Sequence, residues 1–242
     1  MSKTSASAAT HEITPAIERR QQIDAALLSL VGGFVDTCVF VGLFGLFTAH
    51  VTGNLALIGT ELVHRNGEVF AKLLSLPVFV ITVVFTVQAA HLLRRSGFKP
   101  LPVLLCGEAV LLLLAVATAA RFGPHLRPDD FLPTLAGMLV AAAMAVQNAL
   151  LRIELSSLPS TTVMTSNVTQ ALIDTVALAA DHDNDPAHRR RVHRRMAQTW
   201  AAILAFTVGA AGGAAGFAWM QFWSLVAPAA LCVGLAWRFA RR

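Results

Sequence analysis

Asp36 is the first residue of this chain that could do chemistry, because it lies about a dozen residues inside the apolar run 23–47. An ionisable group at mid-membrane is costly unless it is protonated, paired or wetted. Its carboxyl suits a proton site, a cation site or a direct solute contact; the alternative is a protonated group bonded to a neighbouring helix. Glu108, in the run 101–120, poses the same question nearer a helix end, within expected reach of interfacial water. Gln147 and Asn148 stand late in the run 131–152. Lipid would leave their amides unsatisfied, so they are expected to face protein or a polar cavity. Helix-to-helix hydrogen bonding explains them as well as a binding site does.

Two short polar blocks carry more information. Thr48-Ala-His-Val-Thr52-Gly53-Asn54 aligns with Thr161-Thr-Val-Met-Thr165-Ser166-Asn167 at an offset of 113, which also pairs Glu61 with Asp174. Phe85-Thr-Val-Gln-Ala-Ala90 matches Phe206-Thr-Val-Gly-Ala-Ala211 at an offset of 121, the difference being absorbed by an Arg-rich loop. Matched blocks in the same order point to an internal repeat. Each block precedes a short apolar segment, 55–63 or 168–180, and its Thr, Ser and Asn side chains suit helix N-caps. Non-helical backbone at membrane depth survives only where protein buries it or a cavity wets it. Paired half-helix starts near the midplane surround the substrate in many transporters. Ordinary interfacial capping is the plainer alternative. His50 could titrate, although a single histidine is more often structural. Glu61 and Asp174 are expected as solvated carboxylates at the mouths of the half-helices.

The elements that hold these residues follow from composition. Of 242 residues, 55% are hydrophobic and 14% charged, too few polar groups to cover a soluble core of this size. Six runs are long enough to cross a bilayer: 23–47, 73–93, 101–120, 131–152, 197–220 and 222–240. The net charge of +5 gathers in loops, at Arg94, Arg95 and Lys99, at Arg189–Arg195, and at Arg238, Arg241 and Arg242. That clustering fits cytoplasmic flanks meeting anionic headgroups and argues against a nucleic-acid partner. Six crossings with two re-entrant half-helices put all three clusters and both termini in the cytoplasm, whereas eight crossings force 94–99 outside. The expected fold is therefore all-α and transmembrane, with six spanning helices plus two re-entrant half-helices, built as two inverted three-helix repeats. A polar tail over 1–22 precedes repeat 1 over 23–122 and repeat 2 over 123–242, the latter with a basic loop at 181–196. Thr14-Pro15 resembles a helix start within that tail.

Other chemistries find little support. Cys38, Cys106 and Cys232 read as small hydrophobes packed between helices. Asp181, Asp183 and Asp185 faintly resemble a calcium loop in their spacing, but Pro186 and Val192 replace the glycine and glutamate it needs. Neither a metal site, a cofactor nor an enzyme motif is expected. Gly209, Gly212, Gly213 and Gly216 permit close helix approach.

Gly33-Phe-Val-Asp36 through Gly45 to Thr52-Gly53-Asn54, then Gln147-Asn148-Ala149 through Arg152 to Thr161–Asn167, resembles the bacterial YoaK-like family. These are multipass inner-membrane proteins known as a domain of unknown function. Ser166 departs from the family's Thr-Gly-Asn in the second block. The resemblance implies a location in the bacterial cytoplasmic membrane and about six helices, without an activity. The leading functional expectation is a small-solute transporter, with Thr52, Gly53, Asn54, Thr165, Ser166, Asn167, Gln147 and Asn148 at the solute and Asp36 and Glu108 available for proton or ion coupling. A channel for a small solute or ion, and a structural membrane protein, are the alternatives; a homo-oligomer stays open.

Overall fold

The computed structural model describes residues 15–64, 69–123, 127, 130–156, 158–179 and 185–241, with the side chains of 15–18 and 61–64 outside that description. Every regular element among them is helical: α1 (Pro15–Gly42), α2 (Val51–His64), α3 (Phe70–Arg95), α4 (Pro100–Ala119), α5 (Phe131–Ile153), α6 (Met164–Ala179), α7 (Pro186–Met220) and α8 (Val226–Ala240). A 3₁₀ turn, Gln221–Leu225, links the last two. Helix α1 starts at Pro15, inside the polar stretch, so residues 15–22 extend the first helix. Among the other expectations for the N-terminal tail, those for residues 1–14 lie outside the described residues.

Five stretches are long and apolar enough to cross a membrane, and the last, Pro186–Ala240, runs for 55 residues. Where the sequence suggests two separate runs, one helical stretch changes direction at Gln221, which adopts φ 50°. Hydrogen bonds at the helix ends give the directions. Gln22 Nε2 donates to the Ala197 carbonyl (3.3 Å), and Lys99 Nζ to that of Ala240 (3.4 Å). Arg238 meets Asp24 at 3.4 Å, and Arg94 pairs with Glu154. The starts of α1 and α4, the first residues of the apolar part of α7, and the ends of α3, α5 and α8 therefore share one basic end.

The outer surface is what lipid requires. Helix α3 exposes Phe70, Leu73, Leu76, Val80, Ile81, Val84, Phe85 and Leu92, far more apolar surface than water tolerates. All four tryptophans are exposed: Trp200 and Trp237 toward the basic end, Trp219 and Trp223 toward the other. Along α7, Trp200 and Trp219 stand about 28 Å apart at helical rise, which is near the thickness of a hydrocarbon core with its flanking aromatic belts. This is a multipass membrane protein.

Inside, α1 runs parallel to α7 in backbone contact. A Cβ at Gly209 or Gly213 would land on the carbonyl oxygen of Leu30 or Phe34, and one at Gly33 on that of Phe206. Helix α5 packs against α3 and α4, and α4 against α8; α2 lies on α3 and α6 on α7. The main core joins α1, α4, α5, α8 and the 43–50 connection through residues such as Val35, Leu46, Leu112, Met144 and Leu225. Cys38 and Cys232 are buried in it, whereas Cys106 is exposed, contrary to the expectation of packing: it shares an exposed stripe of α4 with Val103, Val110 and Leu113 at helical spacing.

Asp174 on α6 is a second correction. It is buried, not solvated, because Arg195 folds back from α7 with Nε on its Oδ2 (2.8 Å) and Nη2 on its Oδ1. The guanidinium holds this carboxyl below the usual carboxylate range, and Gln170 adds a further donor. The pair's contribution to stability is complete above the ordinary carboxylate range and is lost as pH falls through the lowered value. Arg195→Ala leaves a buried acid with one amide partner. A loss of about 1–2 kcal/mol is expected, the half-exposed guanidinium being screened by solvent, and it should shrink in acid when melting is followed against pH. The side chain of Glu61, the matched residue, lies outside the described residues.

A candidate polar junction between two returning connections

Helix α1 ends at Gly42 because the chain turns left-handed at Phe44 (φ 51°) and Gly45 (φ 75°), with the Gly45 N–H donating to the Phe40 carbonyl. Gly45 has room for a side chain, so it is the conformation that suits glycine there. Phe47 stacks on Phe40 at 4.5 Å, and the connection runs back along α1. It reaches Asp36, six residues or about 9 Å before the helix end. Asp36 Oδ1 accepts the N–H of Thr48 (2.7 Å), its hydroxyl (3.0 Å) and the N–H of Ala49 (2.8 Å). Its Oδ2 lies 2.7 Å from Nδ1 of His50.

The second connection arrives from the opposite end of the bundle. Helix α5 stops at Ile153, at the basic end, and the described residues 158–163 return to Gln147 and Asn148, again about 9 Å inside. Gln147 Nε2 donates to the Thr161 hydroxyl (3.0 Å) and to the Leu28 carbonyl of α1 (3.1 Å). The Thr162 hydroxyl donates to Asn148 Oδ1 (2.7 Å). His50 packs edge-on to Phe206, and the two connections lie against α1 four residues apart, the first at Asp36 and the second at Gly32. Gly32 of α1 faces Thr161 at close range. Gly32 and Asp36 lie about 12 and 18 Å along α1 from Asp24 at the basic end, so the junction sits deep between the ends of the bundle.

The Thr-x-Asn blocks occupy the first turns of α2 and α6, not the positions before them. Asn54 Nδ2 donates to the Phe47 carbonyl (2.7 Å), and Asn167 Nδ2 to that of Ser160 (2.6 Å). Both bonds reach back seven residues and correspond at the offset of 113. Asn54 also accepts from the Phe47 N–H (2.9 Å) and donates to Ser75 on α3 (2.8 Å). Both asparagines are buried and pin their connections, while Thr52, Thr165 and Ser166 are exposed. The residue at 166 also gains a reason. A Cβ at Gly53 would collide with the Phe47 ring, 2.7 Å away, whereas the residue matching Phe47 is the small Ser160. Ser166 therefore fits, its hydroxyl bonded to the Val163 carbonyl (2.9 Å).

Glu108 does not join this junction. The expectation that it could reach interfacial water fails, since it is fully buried between α4 and α8 beside Cys232, and neither of its oxygens meets a nitrogen or oxygen partner among the described residues. His50 is the residue that sequence reading undervalued; its only signal was its place two residues before Thr52.

A family model described as a protein of unknown function, DUF1275, matches residues 25–237. The chain belongs to the DUF1275 family. No curated protein and no solved structure matches it. The matched DUF1275 region takes in both connections and the apolar spans, in keeping with the YoaK-like resemblance. In this DUF1275 chain the junction offers hydroxyls, amides and one acid–imidazole pair deep between the ends of the bundle, a set suited to binding a small polar solute or a proton.

Proposed function

We propose that this DUF1275 protein is a small-solute transporter of the bacterial cytoplasmic membrane, without enzymatic activity, whose substrate passes the junction between the two returning connections. The observation that carries this is the approach of two polar, non-helical segments from opposite ends of the bundle to neighbouring turns of α1, one at Asp36 and the other at Gly32. Non-helical backbone at membrane depth is tolerated where protein buries it or a polar cavity wets it, and in many transporters such segments surround the substrate.

In this reading α2 and α6 are re-entrant half-helices, and α1, α3, α4, α5, α7 and α8 make six crossings in two inverted repeats. The matched Asn54 and Asn167 bonds support the repeat. So does the packing, in which the first long helix of each half lies on the second long helix of the other: α1 on α7, α5 on α3. The basic end faces the cytoplasm and its anionic lipids. Thr52, Gly53, Thr165 and Ser166 line the solute's route, Asn54, Asn167, Gln147 and Asn148 shape it, and Asp36 supports proton coupling.

The test is a thermal-shift screen of small polar solutes on the purified protein, followed by uptake into liposomes. A solute that binds raises the melting temperature as its concentration rises. Thr52→Val with Thr165→Val, which removes two exposed hydroxyls, should abolish that response and leave the unliganded melt in place. Asn54→Ala with Asn167→Ala should instead lower the unliganded melt, by about 1–3 kcal/mol for each buried partner lost. Saturable uptake with counterflow marks a carrier, unsaturable flux a channel. A protein that no solute stabilises and across which none moves is not a transporter.

A further inference from the structure

Helix α4 buries a stripe at helical spacing, Leu105, Glu108, Ala109, Leu112, Ala115 and Val116, of which Glu108 is the one polar member. The stripe sits in apolar surroundings. Leu105 belongs to a cluster with Leu150 of α5 and Leu235 of α8, and Ala109 and Leu112 to one with Met144 and Cys232. Glu108 is 0% exposed, and neither carboxyl oxygen has a nitrogen or oxygen partner among the described residues. It stands about 12 Å from the start of α4 and about 16 Å from its end, too deep to reach either interface. Asp36 offers the contrast, a buried acid held by two backbone N–H groups, a hydroxyl and an imidazole. An ionised carboxylate with no such partners is far costlier than the neutral acid, so the packed seam holds Glu108 with its proton on.

The elements packed against α4 bring no counter-charge to this depth. They are α3, α5, α8 and the 3₁₀ turn, whose charged or titratable side chains are Lys72, His91, Arg94, Arg95, Arg152, Cys232 and Arg238. All except Cys232 lie within about 6 Å of a helix end. Cys232, like the exposed Cys106 of α4 itself, offers a thiol, which is a weak hydrogen-bonding group.

We propose that Glu108 is a proton-binding site embedded in the membrane and separate from the junction: it keeps a proton while α4, α5 and α8 are packed and gives it to water when they part. The carboxyl O–H bond breaks, the proton passes to water, and the carboxylate is wetted in the opened seam. A side chain that forms no bond contributes nothing to the packed fold; what it can contribute is a proton. Coupling of that proton to a solute rests on the transport reading above, whereas the site itself does not.

Two variants of the full-length protein in lipid nanodiscs test this. Glu108→Met fills much the same space without a polar atom, and removing an unpaired buried polar group is neutral or stabilising. It should therefore melt at or above the wild-type temperature; a lower melt marks a structural acid and overturns the proposal. The infrared difference between wild type and Glu108→Gln, with Glu108→Met as a second blank, reads the proton. A carboxylic-acid C=O band at neutral pH, lost in both variants, is expected, and carboxylate bands in its place overturn the site. In heavy water the band should shift slowly, over the minutes to hours of local opening that hydrogen exchange reads. A shift that is complete at once means a wetted acid, and one that never comes means a proton that is not released; either result contradicts the proposal. None of these readings needs a solute, so a slow-exchanging acid in a protein that moves none keeps the proton site and removes the transport reading.

Discussion

Asp36→Ala loses its fold at the junction, whereas Asp36→Asn keeps it. The carboxylate is the common acceptor for two backbone N–H groups, one hydroxyl and one imidazole, all within 3.0 Å. Alanine strands two buried N–H donors and removes the partner of His50, a loss on the order of 3–5 kcal/mol. Asparagine presents an oxygen in the same place to Thr48 and Ala49, and its amide can donate to a neutral His50 ring. Its unfolding in nanodiscs is expected within about 1 kcal/mol of wild type. An alanine variant that unfolds with the wild type would mean that the 43–50 connection is held by something other than this acid. The separation of the two variants matters for function too, because Asp36→Asn then tests coupling in a protein that is still assembled.

The seam between α1 and α7 should tolerate no added methyl group. At Gly33, Gly209 and Gly213 the obstacle is a facing backbone carbonyl, which cannot rotate away as a side chain could. Gly209→Ala and Gly213→Ala must therefore push the helices apart, at about 1–3 kcal/mol each and toward the upper end. The double variant should cost less than the sum, since the first substitution has already opened the space the second needs. Gly107 and Gly234 have nothing within 4 Å of an added Cβ. Alanine there should be neutral or mildly stabilising through helix propensity, which makes these two the controls for the same melting experiment. Equal losses at all five sites would show that the effect is one of backbone freedom and not of contact.

Much of this molecule is legible in its residues because lipid is a demanding solvent. It sets the length of an apolar run, penalises Asp36, and asks Gln147 and Asn148 to find partners: Gln147 Nε2 has Leu28 and Thr161 and Asn148 has Met144 and Thr162, while Gln147 Oε1 is buried with no partner among the described residues. What stays hidden depends on where the chain returns. His50 meets Asp36 only because Phe44 and Gly45 reverse the backbone. Asp174 looks like a solvated acid until Arg195 comes back over it. In the run 101–120, nothing in the order of residues says which side of the helix Glu108 occupies. The break at Gln221 is likewise silent, with neither proline nor glycine at the turn itself. The Thr-x-Asn blocks are visible as a pair, but their asparagines tie back to earlier carbonyls, a role that cap preferences alone do not anticipate.

The most direct measurement is cross-linking of His50→Cys to Thr162→Cys, in a chain with Cys38, Cys106 and Cys232 replaced by alanine, using the shortest bis-thiosulfonate linker on intact membranes. The predicted result is an intramolecular link in most molecules, absent from either single variant. No link, with each thiol instead labelled by an impermeant reagent from a different side of the membrane, would contradict a junction at which the two connections meet.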